Sequence, residues 1–310
     1  MTYPGFSRQT VSTPRRIRPL EPDPPRWVHE LLDGGTGQRC DGRPFSFDVI
    51  RRDPFMRITA KIPGAASLTA DELSRCVTAQ YAALETLLAD LERVPIRIWN
   101  YIPGIVESME PGLDRYMAFN RGRYRAYADW WGIDQGLERA VPTASAVGIT
   151  GPDLVIDCLA SASGGRPVDN PRQTASWRYS RRYGPLPPCF ARGTVAVFDG
   201  RRMLLVGGTA SIVGEESRHA GDVLAQTEEA LANIEAVVAR TADGPRAPLQ
   251  LLTDARIYVV NEADAEMVEG LIRARGARTL RVETVLARVC RQELLVEIEG
   301  LADLRAGHSR

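Results

Sequence analysis

The order in which apolar periodicities follow one another constrains this chain more than any single motif. From Thr194 two strand-like runs, TVAVF and MLLVGGTASI, flank the turn DGRR. HAGDVLAQTEEALANIEAVVAR then places Val223, Thr227, Ala230, Leu231, Ile234 and Val238 on one helical face. A strand (LQLLTDARIYVV), a helix (EADAEMVEGLIRAR) and two closing strands (TLRVETVLA, ELLVEIEG) complete the order β-β-α-β-α-β-β. The first half follows it loosely, with SFDVIRR and RITAKIPG, then LTADELSRCVTAQYAALETLLADLER, PIRIWNYIPGI, DRYMAFNRGRYRAYADWWG, TASAVGI and DLVIDCLAS. In its long helix Leu73, Val77, Tyr81, Leu84, Leu88 and Leu91 recur at helical spacing, and Thr69 with Glu72 has capping-box spacing. The repeat is one of element order rather than of sequence. It predicts an α/β (α+β) fold of two β-β-α-β-α-β-β units in one chain, each a mixed sheet with helices on one face.

Between the halves, GGRPVDNPRQTASWRYSRRYGPLPPCFAR is dense in Pro, Gly, Arg and Tyr. Pro171, Pro185, Pro187 and Pro188 argue against a helix interior or central strand. The expected division is a Pro/Arg-rich extended arm over 1–40, a first unit over 41–165, an ordered connector over 166–190 and a second unit over 191–310. The N-terminus has no apolar core of a secretion signal, and no stretch has membrane-spanning length. A soluble, cytoplasmic protein is expected.

Formal net charge is +0 over 310 residues, which points to neither nucleic acid nor membrane as partner. Cys40, Cys76, Cys158, Cys189 and Cys290 are scattered without C-x-x-C spacing, and His29, His219 and His308 lie far apart. No metal site and no Ser-His-Asp hydrolase is expected.

The chemistry-bearing stretch is RVCRQELLVEIEG, residues 288–300. Read as a strand, it puts Glu293, Glu297 and Glu299 on one face and Leu294, Val296 and Ile298 on the other. Parity alone does not separate a solvated face from the wall of a cleft. Candidate cations are Arg121, Arg123, Arg172, Arg178, Arg181, Arg182 and Arg192. Of these, Arg192 is set within apolar CFARGTVAVF, where a buried charge needs a partner. Tyr179 and Tyr183 flank the basic run. GGTASI offers Gly207 and Gly208 for close backbone approach, either to a ligand or in a β-bulge.

The element order, ending in VEIEG, resembles the YjgF/RidA-type fold. IWNYIPGI, RYMAFNRGR, PTASAVGI, DNPRQTASWRYSRRYGP, PPCFARGT, LLVGGTASIVGEESRHAGD and CRQELLVEIEG together resemble the chorismatase family, in which the RidA-like unit occurs twice. Small departures, such as Thr174, Ala175, Trp177 and Gly193, lie close to the connector. The resemblance implies a cofactor-free enzyme that releases pyruvate from chorismate. Glu297 would protonate the enol-pyruvyl ether and Cys290 would steer the outcome to 3-hydroxybenzoate. Arg192, Arg182, Arg121, Tyr179, Tyr183, Gly208, Thr209 and Ala210 would hold the substrate. Alternatives are a hydrolase giving a trans-dihydroxycyclohexadienoate, formation of 4-hydroxybenzoate, and a RidA-type imine deaminase or ligand-binding protein. The oligomeric state is left open between monomer and homo-oligomer such as a trimer.

Overall fold

The computed structural model describes residues 17–41, 45–133 and 135–305. The first half contains α1 (Arg26–Leu31), β1 (Thr36–Asp41), β2 (Ser46–Arg52), β3 (Phe55–Ile62), α2 (Ala70–Asp90) and β4 (Val94–Pro103). It continues with the small hairpin β5 (Ser108–Glu110) and β6 (Leu113–Asp114), α3 (Arg115–Trp131), α4 (Gln135–Ala140), β7 (Thr143–Ile149) and β8 (Leu154–Ser161). The second half contains β9 (Arg166–Val168), β10 (Gly193–Phe198), β11 (Arg201–Ala210), β12 (Ile212–Val213), β13 (Glu216–Ser217) and α5 (Val223–Ala239). β14 (Leu252–Val259), α6 (Ala265–Arg275), β15 (Arg281–Leu286) and β16 (Val296–Asp303) complete it.

The two large sheets have one topology. The first runs β1-β2-β3-β8-β4-β7 and the second β9-β10-β11-β16-β14-β15. In each, the last strand of the unit inserts between the second and third, and the third and fourth pair in parallel, β4 with β7 and β14 with β15. Local chemistry explains several joints. Thr69 and Glu72 form the reciprocal capping box at the start of α2. Asp199 and Gly200, both at positive φ, make the two-residue turn between β10 and β11.

Three apolar clusters place the layers. One face of the first sheet packs on α2 and α3 through Leu73, Val77, Tyr81, Phe119 and Ile98. One face of the second packs on α5 and α6 through Leu231, Ile234, Val268, Val296 and Ile298. The remaining faces meet each other through Trp99, Val155, Phe198, Leu205, Tyr258 and Leu301. Helices are thus outermost, and the odd-numbered residues of β16 look into the space between the halves.

Two expectations need correction. Residues 1–16 lie outside the described residues, but the rest of the expected arm is not simply extended. Arg26–Leu31 is helical, and Thr36–Asp41 pairs along β2. The cause is Trp27, which sits 6.1 Å from both Trp99 and Phe198 in the interior between the sheets. Burying that surface outweighs the extended bias of the prolines, and Pro25 ends as the N-cap of α1. The last strand is also shifted from its pattern, ELLVEIEG, because it begins at Val296 and runs on to Asp303. Gln226 of α5 takes the place of ladder partners just before it, accepting from Leu295 N at 2.7 Å and donating to Glu293 O at 2.8 Å. Glu293 therefore stands outside the strand, exposed, accepting from Ser217 Oγ at 2.7 Å. In the connector, Arg166–Val168 joins β10 as a short edge strand with Pro167 inside it. Ser176–Arg178 and Arg181–Tyr183 are single 3-10 turns.

Candidate active site

Glu297 lies in β16 opposite Tyr258 of β14 and Ala210 of β11. It is 4% exposed, and it lines a cavity between the two halves. Both halves build the wall. Asp114, Tyr116 and Met117 come from the start of α3 and the residue before it, Arg123 from the middle of α3, and Ala144, Ser145 and Ala146 from β7. Tyr179, Tyr183, Pro188 and Phe190 come from the connector, and Arg192, Gly208, Ala210, Ile212, Cys290, Arg291 and Glu297 from the second half. Asp114, Met117, Tyr183 and Arg291 also line an outer depression, so they form the mouth.

The β11–β16 register shifts between Val206 and Thr209, leaving Gly207 and Gly208 as a bulge. Gly207 N donates to Arg192 O at 2.9 Å and Gly208 N to Ser145 Oγ at 2.9 Å. A Cβ on Gly208 would collide with Glu297 Oε1 and lie 2.9 Å from Ser145 Oγ. Glycine is required here by the carboxyl packed against its backbone.

Burial pushes the Glu297 carboxyl up to about 8, and the neighbouring Glu299 carboxylate adds to the shift. Arg97 and Arg192 oppose it. Near neutrality this group carries a proton. Burial, with Glu297 adding to it, pushes the Cys290 thiol up to about 12, so it is a neutral S–H rather than a thiolate nucleophile.

Two guanidiniums face the same space without carboxylate partners among the described residues. Arg192, 4% exposed, donates through Nη2 to Tyr179 Oη at 2.7 Å and Thr174 O at 3.2 Å, lies 4.8 Å from the Phe190 ring centroid, and has no partner at Nε. Arg123, 1% exposed, donates through Nη2 to Asn120 Oδ1 at 2.9 Å and has no partner at Nε or Nη1. A buried cation without a counter-charge is costly, and an anionic ligand would remove that cost. Near the mouth, Arg291 lies 3.9 Å over the Tyr183 ring and donates to Glu215 O and Ser217 Oγ.

The cavity wall thus takes in Glu297, Cys290, Arg192, Tyr179, Tyr183, Gly208 and Ala210 of the residues singled out in the sequence. Three others lie elsewhere. Arg121 pairs with Asp71 at 2.6 Å and donates to Ala70 O, tying α3 to the start of α2. Two residues along a helix is about 200°, so Arg123 rather than Arg121 faces the cavity. Arg182 is exposed and pairs with Glu216 at 3.5 Å. Thr209 turns the opposite way from its neighbours in β11, its hydroxyl donating to Gly207 O at 2.8 Å. Arg172 is paired to Glu229, and Arg178 and Arg181 are exposed. Tyr116, Ser145, Phe190 and Arg291 were not singled out. Ser145 carries a weak signal as one of two hydroxyls, with Thr143, on an otherwise apolar strand; the connection to Glu299 spans 154 residues.

Two units of one β-β-α-β-α-β-β topology in one chain, sharing a cavity with one buried carboxyl and two guanidiniums outside ion pairs, define the class of this protein. Residues 49–160 match the chorismatase FkbO/Hyg5-like N-terminal family. The chain is 35% identical over 216 residues to a 3-hydroxybenzoate synthase of Streptomyces hygroscopicus, a match covering 66% of this chain and 62% of that protein. It is 35% identical over 215 residues to a chorismatase of Streptomyces rapamycinicus, covering 66% and 63%. A chorismatase crystal structure superposes with a TM-score of 0.74 at 27% identity, covering 86% of this chain and 79% of that one. The chain is thus similar to chorismatases along most of its length; its match spans a little over three-fifths of the length of those curated relatives.

Proposed function

We propose that this protein releases pyruvate from chorismate and leaves 3-hydroxybenzoate. The observation that carries the reading is the meeting of Glu297 with Arg123 and Arg192 in one cavity. Chorismate is a dicarboxylate bearing an enol-pyruvyl ether. Two guanidiniums lacking counter-charges suit its two carboxylates. A carboxyl holding its proton near neutral pH suits the slow step, protonation of the methylene carbon.

Glu297 gives its proton to that carbon, the vinyl π electrons form the new C–H bond, and the ether oxygen shares the resulting charge as an oxocarbenium ion. Loss of the proton leaves Glu297 a carboxylate beside the cation it has made, which stabilises it. From there the branches differ in their balance. Hydrolysis takes up one water and gives pyruvate and a dihydroxycyclohexadienoate. Formation of 3-hydroxybenzoate and pyruvate takes up none, since the two products together contain the atoms of chorismate. The apolar wall of Ala144, Ala146, Ala210 and Ile212, with the neutral Cys290 thiol, favours the branch without water. The relative named 3-hydroxybenzoate synthase supports the same choice.

The test is incubation with chorismate, pyruvate being read by coupling to lactate dehydrogenase and the ring product by chromatography. Pyruvate with 3-hydroxybenzoate is expected. A folded protein that forms no pyruvate would overturn the activity; pyruvate with the diol or with 4-hydroxybenzoate would overturn the product.

A further inference from the structure

Glu299 stands two residues beyond Glu297 on the same face of β16, yet it does not line the cavity. It is 2% exposed, and the first half holds its carboxylate. Arg97 Nη2 donates to Oε2 at 2.5 Å and Trp99 Nε1 to Oε1 at 2.8 Å, both from β4. Ser145 Oγ of β7 donates to Oε2 at 2.5 Å. The same Ser145 oxygen accepts from Gly208 N, and Gly208 is the residue whose Cα lies against the Glu297 carboxyl. One continuous path therefore leads from Glu299 through Ser145 and the glycine bulge to Glu297.

We infer that Glu299 is a positioning residue for the reaction proposed above, its carboxyl, paired with Arg97, and its hold on Ser145 setting the surroundings of Glu297 and seating it against Gly208. The inference rests on Glu297 being the acid. The charge effect follows from distance and burial, since like charges two residues apart on one strand face, away from water, cannot both form cheaply. Glu299 is the member with donors on both oxygens, from Arg97, Trp99 and Ser145. Glu297 has no hydrogen-bond donor among the described residues, and burial first, then the nearby Glu299, raises its carboxyl. The other charged or titratable groups about Glu297 are Arg97 on β4, Arg192 after the connector, Cys290 before β16, Tyr116 and Arg123 on α3, and Tyr258 on β14. Of these the two cations acting on it, Arg97 and Arg192, work against protonation. Glu299 is also the latch between the halves, so the proton on Glu297 depends on their being docked.

The experiment follows the Glu297 carboxyl directly, by infrared difference spectroscopy on protein with 13C-labelled glutamate. The band is assigned by its loss in Glu297→Gln, and the readout needs no turnover. In the native protein its titration midpoint should lie at about 8. Glu299→Gln should lower that midpoint by at least about one pH unit, a tenfold change in proton affinity. Arg97→Met combined with Glu299→Gln, which removes the arginine that the single variant would leave without its carboxylate, should lower it by less, because the opposing cation is gone as well. With chorismate, the alkaline fall in kcat should move with the midpoint while KM below it stays within about twofold. A folded double variant with the native midpoint would overturn the inference, and so would a folded Glu299→Gln that titrates as the native protein does. Absence of pyruvate with the titration shifts intact would remove the proposed reaction and leave the charge coupling standing.

Discussion

At Glu297 the chemistry and the stability of the protein pull in opposite directions. Its carboxyl is raised by burial to about 8 from an ordinary 4.5. Folding therefore takes up a proton between those values, and the unfolded chain binds fewer protons than the native one. Stability is fully present below about pH 4.5 and falls as pH rises toward 8, by at most about 1.4 kcal/mol per pH unit. Glu297→Gln has no proton to take up. Its stability in urea should exceed that of the native protein by a margin that widens from pH 5 to pH 8, while pyruvate release falls by a factor of about 100 or more. A margin independent of pH would show that Glu297 is not the group that takes up the proton. Gly208→Ala tests the steric half of the arrangement. Its methyl group would strike Glu297 Oε1, so kcat should fall by about 100-fold in a protein that still folds.

At the scale of elements, the cavity depends on registers that neighbouring residues in sequence do not share. The β11 bulge offsets Gly207 and Gly208, so Gly208 and Ala210 reach the wall while Thr209 between them turns away. In α3, Arg121 binds Asp71 at the helix surface and Arg123 enters the cavity. Arg123 is buried, unpaired and surrounded by Tyr81, Tyr116 and Tyr127, an arrangement that costs stability for the sake of a ligand. Arg123→Met should raise the thermal midpoint and raise KM for chorismate by about 100-fold, the usual loss when one partner of a buried charge pair is removed. A lower thermal midpoint would mean that the aromatic contacts outweigh the cost of the charge. Cys290, in the segment leading to β16, is the neutral group beside the acid. Cys290→Ala should shift product from 3-hydroxybenzoate toward the ring diol, read as the ratio of the two by chromatography.

Over the whole molecule, two units of one topology make unequal clefts. Tyr101 opposes Val155 in the first unit as Tyr258 opposes Glu297 in the second, and Asp157 stands where Glu299 does. Val155 cannot supply a proton, and Asp157 is held by Arg57 at 2.6 Å. The segment before α1 closes this second region. Asp23 O accepts from Tyr101 Oη at 2.8 Å and Arg256 Nη1 at 2.7 Å, and Pro24 O accepts from Arg256 Nη2 at 2.9 Å. Trp27 then fills the interior beside Trp99, whose indole binds Glu299. Trp27→Ala should destabilise the protein by roughly 3–5 kcal/mol. It should also loosen the Arg97–Glu299 latch, so that activity at pH 7 falls before the protein melts, measurable by assaying along a temperature series beside circular dichroism.

The succession of apolar periodicities was enough to read both units, their helices and the DG turn, because period and turn chemistry are local properties of the chain. The apolar parity of LLVEIEG likewise set Glu297 and Glu299 on one face, and motif resemblance singled out Glu297 and Cys290. Which acid keeps a proton, which arginine is left unpaired and where the last strand begins were decided only on folding. Those outcomes depend on burial and on contacts between residues 50 to 200 positions apart: Arg97 with Glu299, Arg121 with Asp71, Ser145 with Glu299. No local pattern encodes such distances. They arise where two sheets and a connector meet and exclude water.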